Sequence, residues 1–304
     1  MKLFAGTSNP GLAMAVSTHG NLPLGSVEIT RFIDNECRVF VKDAVEGEEV
    51  YILQSLSEVA DQHLVELCLL GSAVKGLGAK KVTAIIPWMG YSKQDKAFRK
   101  GEAISAQLVA KFIEAAGFDA VITVELHSEN VLPYFTIPVT ELSSHGLLGK
   151  AFFEDTVTSS LTRAVVVSPD YGGVSRSARF AEEMKLPIIH LTKKRDVETG
   201  AVTVTGADGT LSGTTAIMFD DIINTGATAV KTSDFVLQNG AVAVYFLATH
   251  GVFAGNASRV LADSRITKVM VSDTINIPEK KKFPSLQIVS VASLIADAIQ
   301  NQTK

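Results

Sequence analysis

Short apolar runs alternate with longer amphipathic stretches along the whole chain. The runs at 2–5, 50–53, 81–86, 120–124, 164–167, 188–191, 216–219, 241–249, 268–271 and 286–289 read as strands. Several are apolar at consecutive positions, as strands covered on both faces must be. Between them, 61–77, 105–116, 173–184, 227–239 and 257–262 repeat apolar positions at helical spacing, and Gly78, Gly117 and Gly240 stand where three of those helices end. This rhythm predicts an α/β fold of mainly parallel sheets flanked by helices. A break across 138–149 (PVTELSSHGLLG) separates two halves of similar rhythm, which predicts domains at 1–146 and 147–288. The tail 289–304, helical over 289–299, is expected to pack back onto the first. Residues 193–212 are rich in charge, Thr and Gly and read as a hairpin following a mobile loop.

Composition narrows the class. A chain of 304 residues is long for one core, and 46% apolar with 20% charged residues is an ordinary soluble balance that argues against disorder. The net charge of −4 gives no general field to recruit nucleic acid or an anionic membrane, so a site for a polyanion must be built locally. No stretch approaches the roughly 18 apolar residues of a membrane span. The opening MKLFAGTSNP runs straight into strand and turn without a leader's apolar core, and Cys37 and Cys68 are too isolated for a disulfide framework or a zinc spacing. The expectation is a cytoplasmic protein that binds neither nucleic acid nor membrane.

The local site is most legible in DDIINTGAT, which follows the apolar run AIMF. Carboxylates accept hydrogen bonds from vicinal hydroxyls, so Asp220 and Asp221 suit the 2- and 3-hydroxyls of a ribose. Asn224, Thr225, Gly226, Ala227 and Thr228 are small or hydroxylated, so backbone N–H groups can approach a phosphate at the positive end of the next helix. A bare T-G-x-T is more often a turn before a capped helix. Two acids directly after a buried strand shift the balance to ribose 5-phosphate.

This segment resembles the ribose-phosphate signature of the phosphoribosyltransferase-type fold, which serves both transferases and synthetases. FAGTSNPGLA, RFIDNE (31–36), IIPWMGYSKQDKAF (85–98), LHSENV (126–131), VVSPDYGGVSR (166–176) and ATHGVFAG (248–255) together resemble the ribose-phosphate diphosphokinases, in the same order and at similar spacing. The resemblance covers nearly the whole chain and implies two similar phosphoribosyltransferase-type domains, each a mainly parallel sheet flanked by helices. It places Phe32, Asp34 and Glu36 on a loop that reads the adenine of ATP from a neighbouring subunit. Taken alone, Phe32 would be core and Asp34 a turn residue. Lys93, Gln94 and Asp95 match the segment that contacts ATP phosphate and sugar, with Lys93 where the family usually has Arg, so bidentate phosphate contact gives way to simple charge. His127 matches a histidine at the ATP phosphates and Mg²⁺, and Asp170 an aspartate that holds Mg²⁺ at the ribose site. By themselves, a lone His after a strand is more often structural, and a strand-ending Asp is as readily a helix cap. Lys193 and Arg195 match a flexible catalytic loop closing over the transferring group, although charge clusters in loops are usually solvated surface.

Besides Lys93, two departures mark the chain: Glu125 with SEN after His127, and Asn224 where synthetases usually carry Asp. The first, with KGEAIS at 100–105, leans toward the archaeal-like branch. The resemblance implies diphosphoryl transfer from Mg-ATP to the C1 hydroxyl of ribose 5-phosphate, by a homo-oligomer of dimers sharing a nucleotide site. A phosphoribosyltransferase would leave RFIDNE and YSKQD unexplained. A weakly active synthetase-associated regulatory subunit would have no need of Lys193, Arg195, Asp220 and Asp221 together.

Overall fold

The computed structural model of the chain describes residues 1–155, 163–168, 174–195 and 202–302. They form two compact units, one of Met1–Ser143, Thr274–Asn276 and Ser290–Lys304, the other of Ser144–Asp273 and Ile277–Val289.

The first unit begins with β1 (Lys2–Ala5) and α1 (Pro10–Gly20). Asn9 caps α1 by accepting from the Leu12 N–H at 3.2 Å, and Pro10 occupies the first turn, where it needs no N–H partner. An antiparallel hairpin of β2 (Val27–Arg31) and β3 (Cys37–Val41) follows. Then β4 (Glu49–Leu53), α2 (Ala60–Gly76), β5 (Lys81–Ile86), α3 (Ser105–Ala115), β6 (Ala120–Val124) and β7 (Val139–Leu142) alternate. The sheet is wholly parallel in the order β1-β4-β5-β6-β7. Its central strands are buried at consecutive positions, as double coverage by helices requires.

The second unit contains α4 (His145–Asp155), β8 (Ala164–Ser168), α5 (Val174–Met184), β9 (Ile188–Arg195) and β10 (Val202–Ala207). After these come β11 (Thr215–Ile223), α6 (Ala227–Gln238), β12 (Ala243–Gly251), α7 (Ala257–Ala262), β13 (Lys268–Ser272) and β14 (Leu286–Val289). The strand order is β10-β9-β8-β11-β12-β13-β14, and only β10 runs antiparallel to its neighbour. From β8 the chain builds outward through β9 and β10, then returns to β8's other side with β11. The carboxyl ends of β8 and β11 therefore flank the point where the order reverses, the place in open α/β sheets where a crevice forms. Beneath it the Phe180 and Phe219 rings stack at 4.5 Å, and His145 meets Phe219 edge-on at 4.6 Å. The last helix, α8 (Ala292–Asn301), belongs to the first unit and packs on α1.

Three features depart from the hydrophobic pattern. The β2–β3 hairpin, α1, β7 and α4 carry no run that marks them. Strand β11 does not stop at Phe219 but continues through both acids to Ile223, because β12 keeps pairing with it as far as Gly251. Lys193 and Arg195 do not lie in a loop after a short strand. Their backbones extend β9, opposite Val204 and Val202, because the Thr- and Val-rich β10 supplies an antiparallel ladder. Among the described residues, no helix is long and apolar enough to cross a membrane.

Candidate functional site

At the reversal point of the second unit, β11 runs into α6 through Asn224, Thr225 and Gly226. Gly226 has φ +75°, a left-handed conformation that costs an L side chain about 1 kcal/mol or more. A methyl group there would also approach Leu261 Cγ at 3.0 Å. The ATHGVFAG segment braces the turn from outside. Val252 and Phe253 donate to the Ile223 carbonyl at 3.0 and 3.2 Å, and Ala254 donates to that of Asn224 at 2.8 Å. With its carbonyls engaged there, the turn and the first turn of α6 line a cleft of about 140 Å³ together with Asp220, Asn224, Thr225, Gly226 and Thr228. Ala227 opens the helix and does not line it.

The two acids divide. Asp220 is 21% exposed and lines the cleft, whereas Asp221 is 1% exposed. Arg176, on α5, approaches both, with Nη1 at 2.8 Å from Asp221 and 3.4 Å from Asp220. A carboxylate can lie this deep because a guanidinium lies against it. The Asp221 N–H also donates to Asp220 Oδ1 at 2.9 Å, which turns the Asp220 carboxylate along the strand. Arg176 is the residue of this cluster that the sequence pattern does not single out. Its only signal was its place in VVSPDYGGVSR. Asp170 lies outside the described residues. The backbones of Lys193 and Arg195 are described and their side chains are not.

In the first unit, RFIDNE forms the tip of the β2–β3 hairpin. Phe32 is 53% exposed and Ile33 fully so, which excludes the core position that Phe32 would otherwise take. The tip is preformed: Phe32 N–H donates to the Glu36 carbonyl at 3.0 Å, Asn35 N–H to that of Phe32 at 2.9 Å, and Asp34 accepts from the Glu36 N–H at 3.2 Å. Lys93 and Gln94 are exposed on the loop after β5, with Gln94 Oε1 accepting from Ser105 Oγ at 2.7 Å. Asp95 is buried and accepts from Asn130 Nδ2 at 2.9 Å. His127 is half-buried beyond the end of β6. Its approach is fixed by Glu125, at φ +40°, and by Leu126 N–H donating to Glu141 Oε1 at 2.6 Å.

A glycine turn opening a helix beside a carboxylate of the preceding strand, at a sheet reversal, is the arrangement of an α/β protein of the phosphoribosyltransferase type. Residues 1–117 match the family described as the N-terminal domain of ribose phosphate pyrophosphokinase, and residues 198–303 match the phosphoribosyl synthetase-associated domain. The chain is 38% identical over 299 residues to a ribose-phosphate pyrophosphokinase of Caldanaerobacter subterraneus, covering 98% of this chain and 93% of the relative. To the ribose-phosphate pyrophosphokinase of Bacillus subtilis it is 36% identical over the same shares. The crystal structure of the phosphoribosylpyrophosphate synthetase from Mycobacterium smegmatis superposes with a TM-score of 0.91 at 33% identity, covering 99% of this chain and 98% of that one. The chain belongs to the ribose-phosphate pyrophosphokinase family. None of these similarities supports a leaning toward the archaeal-like branch.

Proposed function

We propose that the cleft at the β8–β11 reversal holds ribose 5-phosphate and that the chain transfers a diphosphoryl group to it from ATP. The chain is a transferase, a ribose-phosphate diphosphokinase. The C1 hydroxyl of ribose 5-phosphate attacks the β-phosphorus of ATP in line, the bond from Pβ to the α-phosphate oxygen breaks, AMP leaves, and 5-phosphoribosyl 1-diphosphate forms. The observation that carries the substrate reading is the juxtaposition of Asp220 with the Gly226 turn in one small cleft.

The turn's backbone N–H groups and the Thr225 and Thr228 hydroxyls hold the 5-phosphate at the positive end of α6. Asp220 accepts from the ribose hydroxyls. Asp221 and Arg176 act beneath it, the buried pair fixing where Asp220 sits. Phe32 stacks on adenine, and Asp34 and Glu36 accept from its amino group. The exposed tip supports service to a neighbouring subunit, and hence a homo-oligomer. Lys93 and Gln94 contact ATP phosphate and sugar, and Lys193, Arg195 and His127 offset charge on the transferring group. Such reactions depend on positioning and charge neutralisation more than on covalent help. Mg²⁺ needs only one or two protein ligands, taking the rest from water and phosphate; His127 would serve it at the ATP phosphates and Asp170 at the ribose, and it would neutralise phosphate charge. The free thiols of Cys37 and Cys68 suit a reducing cytoplasm.

Formation of AMP only when ATP, Mg²⁺ and ribose 5-phosphate are all present tests the reaction. The variant K193A/R195A is expected to lose about a thousandfold in kcat. Robust AMP formation by it overturns the role of that pair. Release of diphosphate that depends on a nucleobase would identify a phosphoribosyltransferase instead.

A further inference from the structure

The loop after β5 is fastened on both sides of its exposed part. Tyr91, held at φ +66°, donates its hydroxyl to Asp61 on α2. Past Lys93 and Gln94, Asp95 is 7% exposed. Its carboxylate accepts from Asn130 Nδ2 at 2.9 Å, and its backbone carbonyl accepts from the Tyr134 hydroxyl at 2.6 Å. Burial pushes the Asp95 carboxyl up, but hydrogen bonds from Ser128, Asn130 and its own backbone, with Lys96 nearby, outweigh it and hold the group below its usual range. Asn130 and Tyr134 lie on the 3-10 turn Glu129–Tyr134, and Ser128, the residue after His127, caps it by accepting from the Asn130 N–H at 3.2 Å. One buried side chain thus fastens the loop of Lys93 to the turn of His127. A carboxylate this enclosed, with two side-chain donors upon it, has little to offer a nucleotide directly.

We propose that Asp95 is a positioning residue and not a nucleotide ligand: it locks the Lys93–Gln94 loop to the turn after His127, so the two parts of the ATP site keep one geometry. This rests on the diphosphokinase reading and assigns a division of labour within it. Asn130, the last residue of the SEN that follows His127, and Tyr134, which no motif singled out, belong to the same lock.

Steady-state AMP formation by the full chain tests it. Asn130→Ala is expected to raise KM for ATP about tenfold, the effect of losing one buried charge-assisted hydrogen bond, with kcat and KM for ribose 5-phosphate changed less than about twofold. N130D sets two carboxylates together and should raise KM for ATP further, while D95N/N130D restores an amide–carboxylate pair and should recover most of the loss. A normal KM in Asn130→Ala beside a raised one in Asp95→Asn would mean that Asp95 touches ATP itself, and the proposal falls. It also falls if every parameter merely tracks the folded fraction. Tryptic cleavage after Lys93 and Lys96 provides a readout independent of turnover, expected to be faster in Asn130→Ala and slowed again in the swap. If the parent chain forms no AMP, the diphosphokinase reading fails, and the cleavage rates alone decide the lock: unchanged rates reject it.

Discussion

At the scale of single residues, the cleft separates groups that act on a ligand from groups that hold the fold. Asp220→Asn keeps the strand and is expected to raise KM for ribose 5-phosphate more than tenfold, while chemical denaturation shifts by less than about 1 kcal/mol. Arg176→Ala is expected to behave in the opposite way. It removes the cation from a carboxylate that is 1% exposed, and unfolding stability should drop by about 3 kcal/mol. Equal stability losses in the two variants would refute this division. Gly226→Ala forces a side chain into φ +75° and against Leu261, so a loss of about 1–2 kcal/mol and weaker phosphate binding are expected, measured by thermal unfolding with and without inorganic phosphate. The sequence showed both acids and the glycine but not their division. Adjacent acids after an apolar run look equivalent until the strand is seen to continue through them, and the deep one needs an arginine from a helix more than forty residues upstream.

At the scale of elements, strands buried on both faces were plain because coverage leaves consecutive apolar residues. The β2–β3 hairpin was not, because neither of its faces is fully covered and its burial alternates weakly. Helix α1 was missed for a related reason: its small residues, Ala13, Gly11 and Ala15, blur the helical stripe, although Asn9-Pro10 was a start signal. The exposed hairpin tip should be separable from stability. Phe32→Ala is expected to raise KM for ATP about tenfold, the usual scale for base–aromatic stacking, with unfolding changed by less than about 0.5 kcal/mol. A large stability loss would return Phe32 to a structural role. Helix α4 carries a pH response. Burial between aromatic rings holds His145 below its usual range, against the opposing pull of Glu183 at 3.4 Å and with Arg179 adding to the depression. The unfolded chain therefore takes up the proton at higher pH than the folded one, so this contribution is intact above about pH 6.5 and declines as pH falls below it. His145→Gln should flatten the stability profile below about pH 6.5 in urea titrations, and an unaltered slope would rule this source out.

At the scale of the whole molecule, alternation of strands and helices announced parallel sheets, and the two main sheets are parallel apart from β10. What alternation cannot encode is strand order. The reversal between β8 and β11, which positions the cleft, follows from β9 and β10 building to one side of β8 and β11 returning to the other. The linear pattern anticipates the return of the tail, which holds α8, to the first unit, but not that Thr274–Asn276 joins that unit as well. Ile295 and Ile299 on α8 and Val16 on α1 are fully buried, and Leu12 on α1 is almost so. During synthesis the ribosome delivers the sheet of the first unit early and the helix that covers α1 only after the second unit has emerged. Until then the nascent chain must carry an uncovered apolar face, and release just after Val289 would leave it so. Each lost isoleucine is worth about 2 kcal/mol of burial, so such a released product should bind a chaperone or aggregate where the 304-residue chain does not.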